Sequence, residues 1–161
     1  MKSCITTLTK RKTKDGKWIQ GCDHTAALLN PKTRNRIIFN CISDLKKYNL
    51  DFDTIACCGT SGLLVVPQIT EMLEKNILVV RKKNEKRYSP FQYEGPVPNN
   101  YIIIDDLICS GSTVKHILKT IKEDCPNSEC IGVYCFMKEK CAYSFDGGID
   151  LCKRDIGIRY L

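Results

Sequence analysis

Between residues 101 and 113 the chain passes from an apolar run to charge to a tight turn. Tyr101, Ile102, Ile103 and Ile104 lead into Asp105 and Asp106. Leu107, Ile108 and Cys109 then bring it to Ser110, Gly111, Ser112 and Thr113. Four strand-forming residues followed by a turn signal predict a short buried strand. Beyond the turn Val114, Ile117, Leu118 and Ile121 recur at i, i+3, i+4 and i+7, the period of an amphipathic helix. A helix that starts there directs unpaired backbone N–H groups and the positive end of its dipole into the turn, which is therefore suited to an anion.

The residue types agree with that chemistry. Backbone amides from Ser110 to Thr113 and the hydroxyls of Ser110, Ser112 and Thr113 can wrap a phosphate monoester, and Gly111 lets the main chain approach without a Cβ in the way. The two carboxylates repel a phosphate but accept hydrogen bonds well, so they suit the hydroxyls of a sugar carried by that phosphate. No Gly-Lys-Ser/Thr follows, which excludes a Walker loop, and no Gly-x-Gly-x-x-Gly marks a dinucleotide fold. Helix capping alone accounts for one acid, not for two acids, an apolar strand and a hydroxylated turn together.

The run resembles the phosphoribosyl pyrophosphate (PRPP) signature of the type I phosphoribosyltransferases. Its one departure is Cys109, where that family usually has Ser, Thr, Ala, Val or Asp. The resemblance implies an α/β fold, a mostly parallel twisted sheet flanked by helices. It implies that Asp105 and Asp106 hold the ribose 2′- and 3′-hydroxyls, and lie near any metal, while Cys109, Ser110, Gly111, Ser112 and Thr113 take the 5′-phosphate.

Length and composition fit one domain. With 161 residues, 43% of them hydrophobic, the chain can bury a core without disulfides. It is read as a single unit, with residues 1–40 forming a small β-rich hood and residues 41–161 the core. No apolar stretch approaches the roughly 20 residues of a membrane span, and Met1 to Cys4 lack the apolar stretch of a signal peptide. A cytoplasmic protein is expected. Eleven cysteines, an odd number, cannot all pair within one chain, and their spacing lacks the Cys-x-x-Cys pairs of zinc sites; they read as reduced thiols. The net charge of +7 suits a polyanionic small substrate; the cations are dispersed or at turns, so nucleic acid is not the expected partner.

Thr6 to Arg11 and Lys17 to Gln20 flank Asp15-Gly16, a hairpin signal, and Asn30-Pro31 reads as a second turn. Ile38, Ile42 and Leu45 then repeat at helical spacing as far as Tyr48-Asn49. Thr54 to Cys58 read as the first strand of the core, followed by the loop Gly59-Thr60-Ser61-Gly62 and an apolar segment from Leu63 to Leu73, with Pro67 near a first turn or at a kink. Ile77 to Val80 give another strand, ending in Arg81, Lys82 and Lys83 with Lys86 and Arg87 close behind. Ser89 to Asn100, with three prolines and no periodicity, read as a loop long enough to be a lid. Glu129 to Phe136 and Ile156 to Tyr160 complete the strands.

In the resembled family a loop placed like Gly59, Thr60, Ser61 and Gly62 binds the pyrophosphate of PRPP. An Arg-Lys pair like Arg81-Lys82 follows the next strand and assists departure of that group, so these two are expected to be catalytic along with Asp105 and Asp106. Orotate enzymes carry a further lysine three residues after the pair, where this chain has Glu85; Lys86 is one place off and is the remaining candidate for pyrophosphate. The implied reaction moves ribose 5-phosphate from PRPP to a nucleobase nitrogen with Mg²⁺ as cofactor, in a homodimer. Cys109 cannot replace the aspartate of the hypoxanthine and guanine enzymes, which favours an orotate- or adenine-type acceptor, with Phe136 and Lys138 as candidate base contacts. Trp18, His24, Phe91 and Tyr93 read as packing or surface, and His116, off the apolar stripe, as exposed. The alternative is a PRPP-binding regulator without transfer, with nucleic acid as its target.

Overall fold

The computed structural model describes residues 7–23, 25–83, 85, 89–106, 111–136 and 159–160. Its frame follows from two strands with no polar face. Every residue of β3 (Thr54–Cys58) is buried, as are all but the first of β6 (Asn100–Asp105). Strands of this kind require cover on both sides of a sheet. They lie side by side in parallel, within a sheet completed by β4 (Asn76–Val80), β5 (Tyr93–Glu94), β7 (Glu129–Cys135) and β8 (Arg159–Tyr160) in the order β5-β4-β3-β6-β7-β8. All pairs are parallel except β5 against β4 at the edge.

Alternation along these strands divides the core. Ile55, Cys57, Ile102, Ile104 and Tyr134 face one way and pack under α2 (Pro31–Tyr48) and α4 (Val66–Leu73). Ala56, Cys58, Tyr101, Ile103, Val133 and Cys135 face the other way, under Val114, Ile117 and Ile121 of α5 (Ser112–Asp124). The helical stripe read between Val114 and Ile121 is thus the buried face of α5, and helices cover both faces as expected.

The N-terminal region differs from the expected hood. The hairpin is present: β1 (Thr7–Lys12) pairs antiparallel with β2 (Trp18–Asp23), and the connection closes through Gly16 N–H to the Thr13 carbonyl at 3.0 Å. After the short α1 (Ala26–Leu29), however, Asn30-Pro31 starts a helix rather than making a turn within a β-rich segment. Asn30 Oδ1 accepts from Thr33 N–H at 3.2 Å and Pro31 occupies the first helical turn, where its missing N–H costs nothing. The apolar stripe Ile37, Ile38, Cys41, Ile42 and Leu45 belongs to this one helix of 18 residues. Pro67, likewise, lies in the first turn of α4 and not at a kink. Of the last expected strand, Arg159 and Tyr160 form β8, and 156–158 lie outside the described residues.

The segment expected to be a lid is largely fastened down. Tyr93 and Glu94 pair with Val80 and Val79, Asn99 N–H donates to Asp53 Oδ2 at 2.9 Å, and the Asn99 carbonyl accepts from Glu129 N–H at 2.8 Å. Ser128 Oγ also donates to the Pro98 carbonyl. Three prolines suppress periodicity here without freeing the chain. Gly95 is the tightest point: its φ is +127° and a Cβ would lie 2.4 Å from the Ile77 carbonyl oxygen. Gly95→Ala should therefore cost about 2 kcal/mol or more, the scale of forced backbone strain, lowering Tm by roughly 4–8 °C. A melt indistinguishable from the parent would show that β5 does not need this close approach.

Candidate active site

The parallel register brings the chemistry to one edge. Cys58 pairs with Val80 and Asp105 with Cys135, and the β3–β6 pairing of Thr54 with Tyr101 and Ala56 with Ile103, continued two places, sets Cys58 level with Asp105. Every segment that carries expected site residues leaves the carboxyl end of one of these strands, where open α/β sheets bind ligands.

Asp105 ends β6 and is only 5% exposed. Burial, the neighbouring Asp106 carboxylate and a hydrogen bond with it push its pKa up to about 7, and Lys82 only partly offsets this. One Asp105 carboxylate oxygen accepts from Asp106 N–H at 2.9 Å, which tightens the turn leaving the strand. The adjacent end of β7 braces the pair: Phe136 N–H donates to the Asp105 carbonyl at 3.2 Å and the Cys135 thiol to the Asp106 carbonyl at 3.1 Å.

Two helix starts face this carboxylate pair. Gly111, at φ +69°, precedes the first turn of α5, which contains no acid, and Ser112 and Thr113 form that turn. The segment Gly59-Thr60-Ser61-Gly62 was expected to be a loop and is instead most of a five-residue helix, α3 (Gly59–Leu63), also with no acid in its first turn. Its glycines serve close packing. Gly59, at φ +75°, leaves room for the Lys82 side chain, whose Cε would be 2.9 Å from a Cβ, and a Cβ on Gly62 would lie 2.7 Å from that of Cys57.

The cationic strand end splits by residue. The Arg81 guanidinium pairs with Glu94 on β5, and its Nε is buried with no hydrogen-bond partner among the described residues. Lys82 lies over Gly59, its N–H donating to Glu85 Oε2 at 3.2 Å. His116, expected to be exposed, is half-buried with Nε2 2.7 Å from the Arg81 carbonyl.

Two neighbouring cavities result. One, of about 570 Å³, is lined by Asp105 and Asp106, by Gly59, Thr60 and Ser61, by Lys82 and Lys83, and by Ser112, Thr113 and His116, with Thr25 and Cys58 completing it. The other, of about 670 Å³, shares Gly59, Thr60 and Lys82 but is otherwise lined by Leu63, Val79, Val80, Arg81, Glu85 and Glu94. Arg81 thus faces a different space from the acid pair. Cys58 reaches the first cavity as a poor nucleophile, because burial and the nearby Asp105 raise its pKa. Among the described residues no group of three or more His, Cys, Asp or Glu side chains could hold a metal ion. Nor is any described helix long and apolar enough to cross a membrane.

Solved structures that share this architecture include phosphoribosyltransferases. The orotate phosphoribosyltransferase of Francisella tularensis superposes with a TM-score of 0.67 over 99% of this chain and 80% of its own, at 14% identity. The adenine phosphoribosyltransferase of Thermoanaerobacter pseudethanolicus does so with a TM-score of 0.56 over 87% and 90%, at 18% identity. The chain has the type I phosphoribosyltransferase fold. By sequence it is 31% identical over 89 residues to the transcriptional regulator GfcR of Methanocaldococcus jannaschii, covering 50% of this chain and 42% of that protein. It is 25% identical over 114 residues to the orotate phosphoribosyltransferase of Listeria monocytogenes, covering 70% and 54%. The chain spans about half the length of the curated relatives it matches. No protein-family model matches it.

On this phosphoribosyltransferase fold the cavity gathers Asp105, Asp106, Lys82, Ser112, Thr113 and, of the four residues expected from α3, Gly59, Thr60 and Ser61. Gly62 is buried against β3 instead, and Phe136 packs against the core beside α2 and α4 and lines neither cavity. Cys109, Ser110, Lys86, Lys138 and His24 lie outside the described residues. Thr25 and His116 were missed as lining residues. For His116 the helical period was the available signal, since it lies three residues after Thr113 and so shares its side of the helix.

The buried Asp105 makes stability depend on pH in a defined sense. An unfolded aspartate ionises near 3.8, so between that pH and about 7 the unfolded chain releases a proton that the folded one keeps. Stability falls as pH rises through this window, and the penalty is complete above it. Asp105→Asn should melt above the parent at pH 8, with the difference shrinking as pH drops below 7 and gone near 4. A constant offset across that range would contradict the assignment.

Proposed function

We propose that this protein uses PRPP as a ribosyl donor, transferring ribose 5-phosphate to a nucleobase nitrogen of the orotate or adenine type and releasing pyrophosphate. One observation carries the reading: the acid pair, the starts of α5 and α3, and Lys82 line a single cavity at the carboxyl edge of the sheet. The 5′-phosphate goes to the first turn of α5 after Gly111, where amides and the hydroxyls of Ser112 and Thr113 converge. Asp105 and Asp106 accept the ribose hydroxyls. The diphosphate lies along Gly59, Thr60 and Ser61, with Lys82 above it to meet the charge that grows as the C1–oxygen bond breaks. Attack by the base on the opposite side of C1 then inverts that carbon. No protein nucleophile is needed, in keeping with the raised pKa of Cys58.

Asp105 and Asp106, with no group of three metal-binding side chains among the described residues, would be the protein groups to hold a magnesium ion brought with the diphosphate. Bound there, the ion would neutralise charge on the leaving diphosphate.

The assay is pyrophosphate release from PRPP and magnesium, with adenine, hypoxanthine, guanine, xanthine, orotate, uracil and nicotinate offered singly. Release with orotate or adenine is expected. Replacing both Asp105 and Asp106 with Asn should lower kcat/KM for PRPP on the order of 100-fold or more, from about 1.5–3 kcal/mol for each charge-assisted hydrogen bond lost. Undiminished turnover would refute the site.

A second reading is a PRPP-binding regulator. It is favoured by the similarity to a protein named as a transcriptional regulator and by Glu85 in place of a loop lysine, with Arg81 already paired to Glu94. Saturable PRPP binding with no release for any base would select it.

A further inference from the structure

We propose that His116 is a positioning residue, a strut from the phosphate-binding helix α5 to the β4 strand end that sets where Lys82 stands over the diphosphate; this rests on the reading above. The geometry is direct. His116 Nε2 is 2.7 Å from the Arg81 carbonyl oxygen, and a carbonyl only accepts, so Nε2 carries the proton and donates. That carbonyl belongs to the peptide bond joining Arg81 to Lys82. The Arg81 N–H is held as well, donating to the Gln92 carbonyl at 2.8 Å, while its side chain is paired with Glu94. Lys82 is fixed on its far side, its carbonyl accepting from Glu85 N–H at 3.0 Å and its own N–H donating to Glu85 Oε2. Of these anchors His116 alone comes from the element that holds the 5′-phosphate, three residues after Thr113 on the same helix face. The two anion-holding ends of the cavity are therefore coupled through one imidazole, and the distance between them depends on it.

The peptide bond that His116 braces is also one that trypsin cuts, which provides a test without ligand. In the full chain His116→Ala should be cleaved at Arg81–Lys82 roughly 2- to 10-fold faster than the parent, the size of one lost hydrogen bond. His116→Gln, whose amide N–H reaches about where Nε2 stands, should be cut at the parent rate. Should the alanine variant not fold, His116→Asn, too short to reach the carbonyl, takes its place. Equal cleavage in all variants, or glutamine behaving like alanine, overturns the strut.

Calorimetry with magnesium pyrophosphate and, separately, ribose 5-phosphate tests the consequence. His116→Ala should weaken pyrophosphate by roughly 2- to 10-fold and leave ribose 5-phosphate unchanged, with glutamine restoring the parent affinity. Equal weakening of both anions would mean that the residue serves α5 itself and would overturn the positioning role. A parent that binds neither anion would overturn the phosphoribosyl reading and this role with it, while the trypsin result still decides whether the strut exists.

Discussion

The constraint on which the rest of this structure depends is that β6 is buried on both faces and ends in an acid. Ile102 and Ile104 are enclosed beneath α2 and α4, Tyr101 and Ile103 beneath α5, and β3 and β7 take the hydrogen-bonding edges. Asp105 is carried into this setting because the strand has no room to end sooner: its register with Cys135 holds to the last residue. A carboxyl there resists ionisation, and the backbone around it is correspondingly well supplied with partners, the Phe136 amide on its carbonyl and the Asp106 amide on its side chain. A ligand that brings hydroxyl donors or a cation to Asp105 would offset the cost that the fold imposes.

The same edge separates charge by direction. Arg81 and Lys82 are adjacent in sequence, and at the end of a strand adjacent side chains diverge. Arg81 turns to Glu94 and the outer cavity, whereas Lys82 crosses Gly59 toward the acid pair. Of this pair, Lys82 is the one that lines the cavity shared by α3 and α5. A residue pair that reads as one cationic motif is, in three dimensions, two residues with different surroundings. The pairing of Arg81 with Glu94 also explains how β5 stays attached through only two paired residues.

How much of this was legible in the sequence depended on whether the signal was local. The β6 run, the turn at Gly111 and the stripe of α5 were legible because each rests on neighbouring residues. Asn30-Pro31 misled because the same dipeptide suits a turn and a helix start; the stripe from Ile37 to Leu45, one residue type short of obvious because Cys41 fills a core position, is what distinguishes them. The α3 segment reads as a loop because its two glycines suggest freedom, whereas both make room for neighbouring strand ends, Gly59 for Lys82 after β4 and Gly62 for Cys57 on β3. The hydrogen bond of His116 was illegible for a related reason. Its partner is a backbone carbonyl 35 residues away, and a carbonyl leaves no trace in residue identity.

If the cavity works as proposed, substrate choice would fall to the side that the signature does not build. On the proposed reading the donor half comes from the ends of β3, β4 and β6 with α3 and α5, where the parallel registers are closely specified. On the remaining wall the described contribution is Thr25, which precedes α1 in the link between the hairpin and α2. That link is tied to α2 by Arg34, which donates to the Leu28 carbonyl at 2.9 Å, and to the core by the buried Leu28 side chain. A wall built from a short helix and a turn can change its side chains without disturbing the sheet. On the proposed reading, a donor half set by the sheet and an acceptor half set by this link would let base preference change while the acid pair stays where β6 puts it.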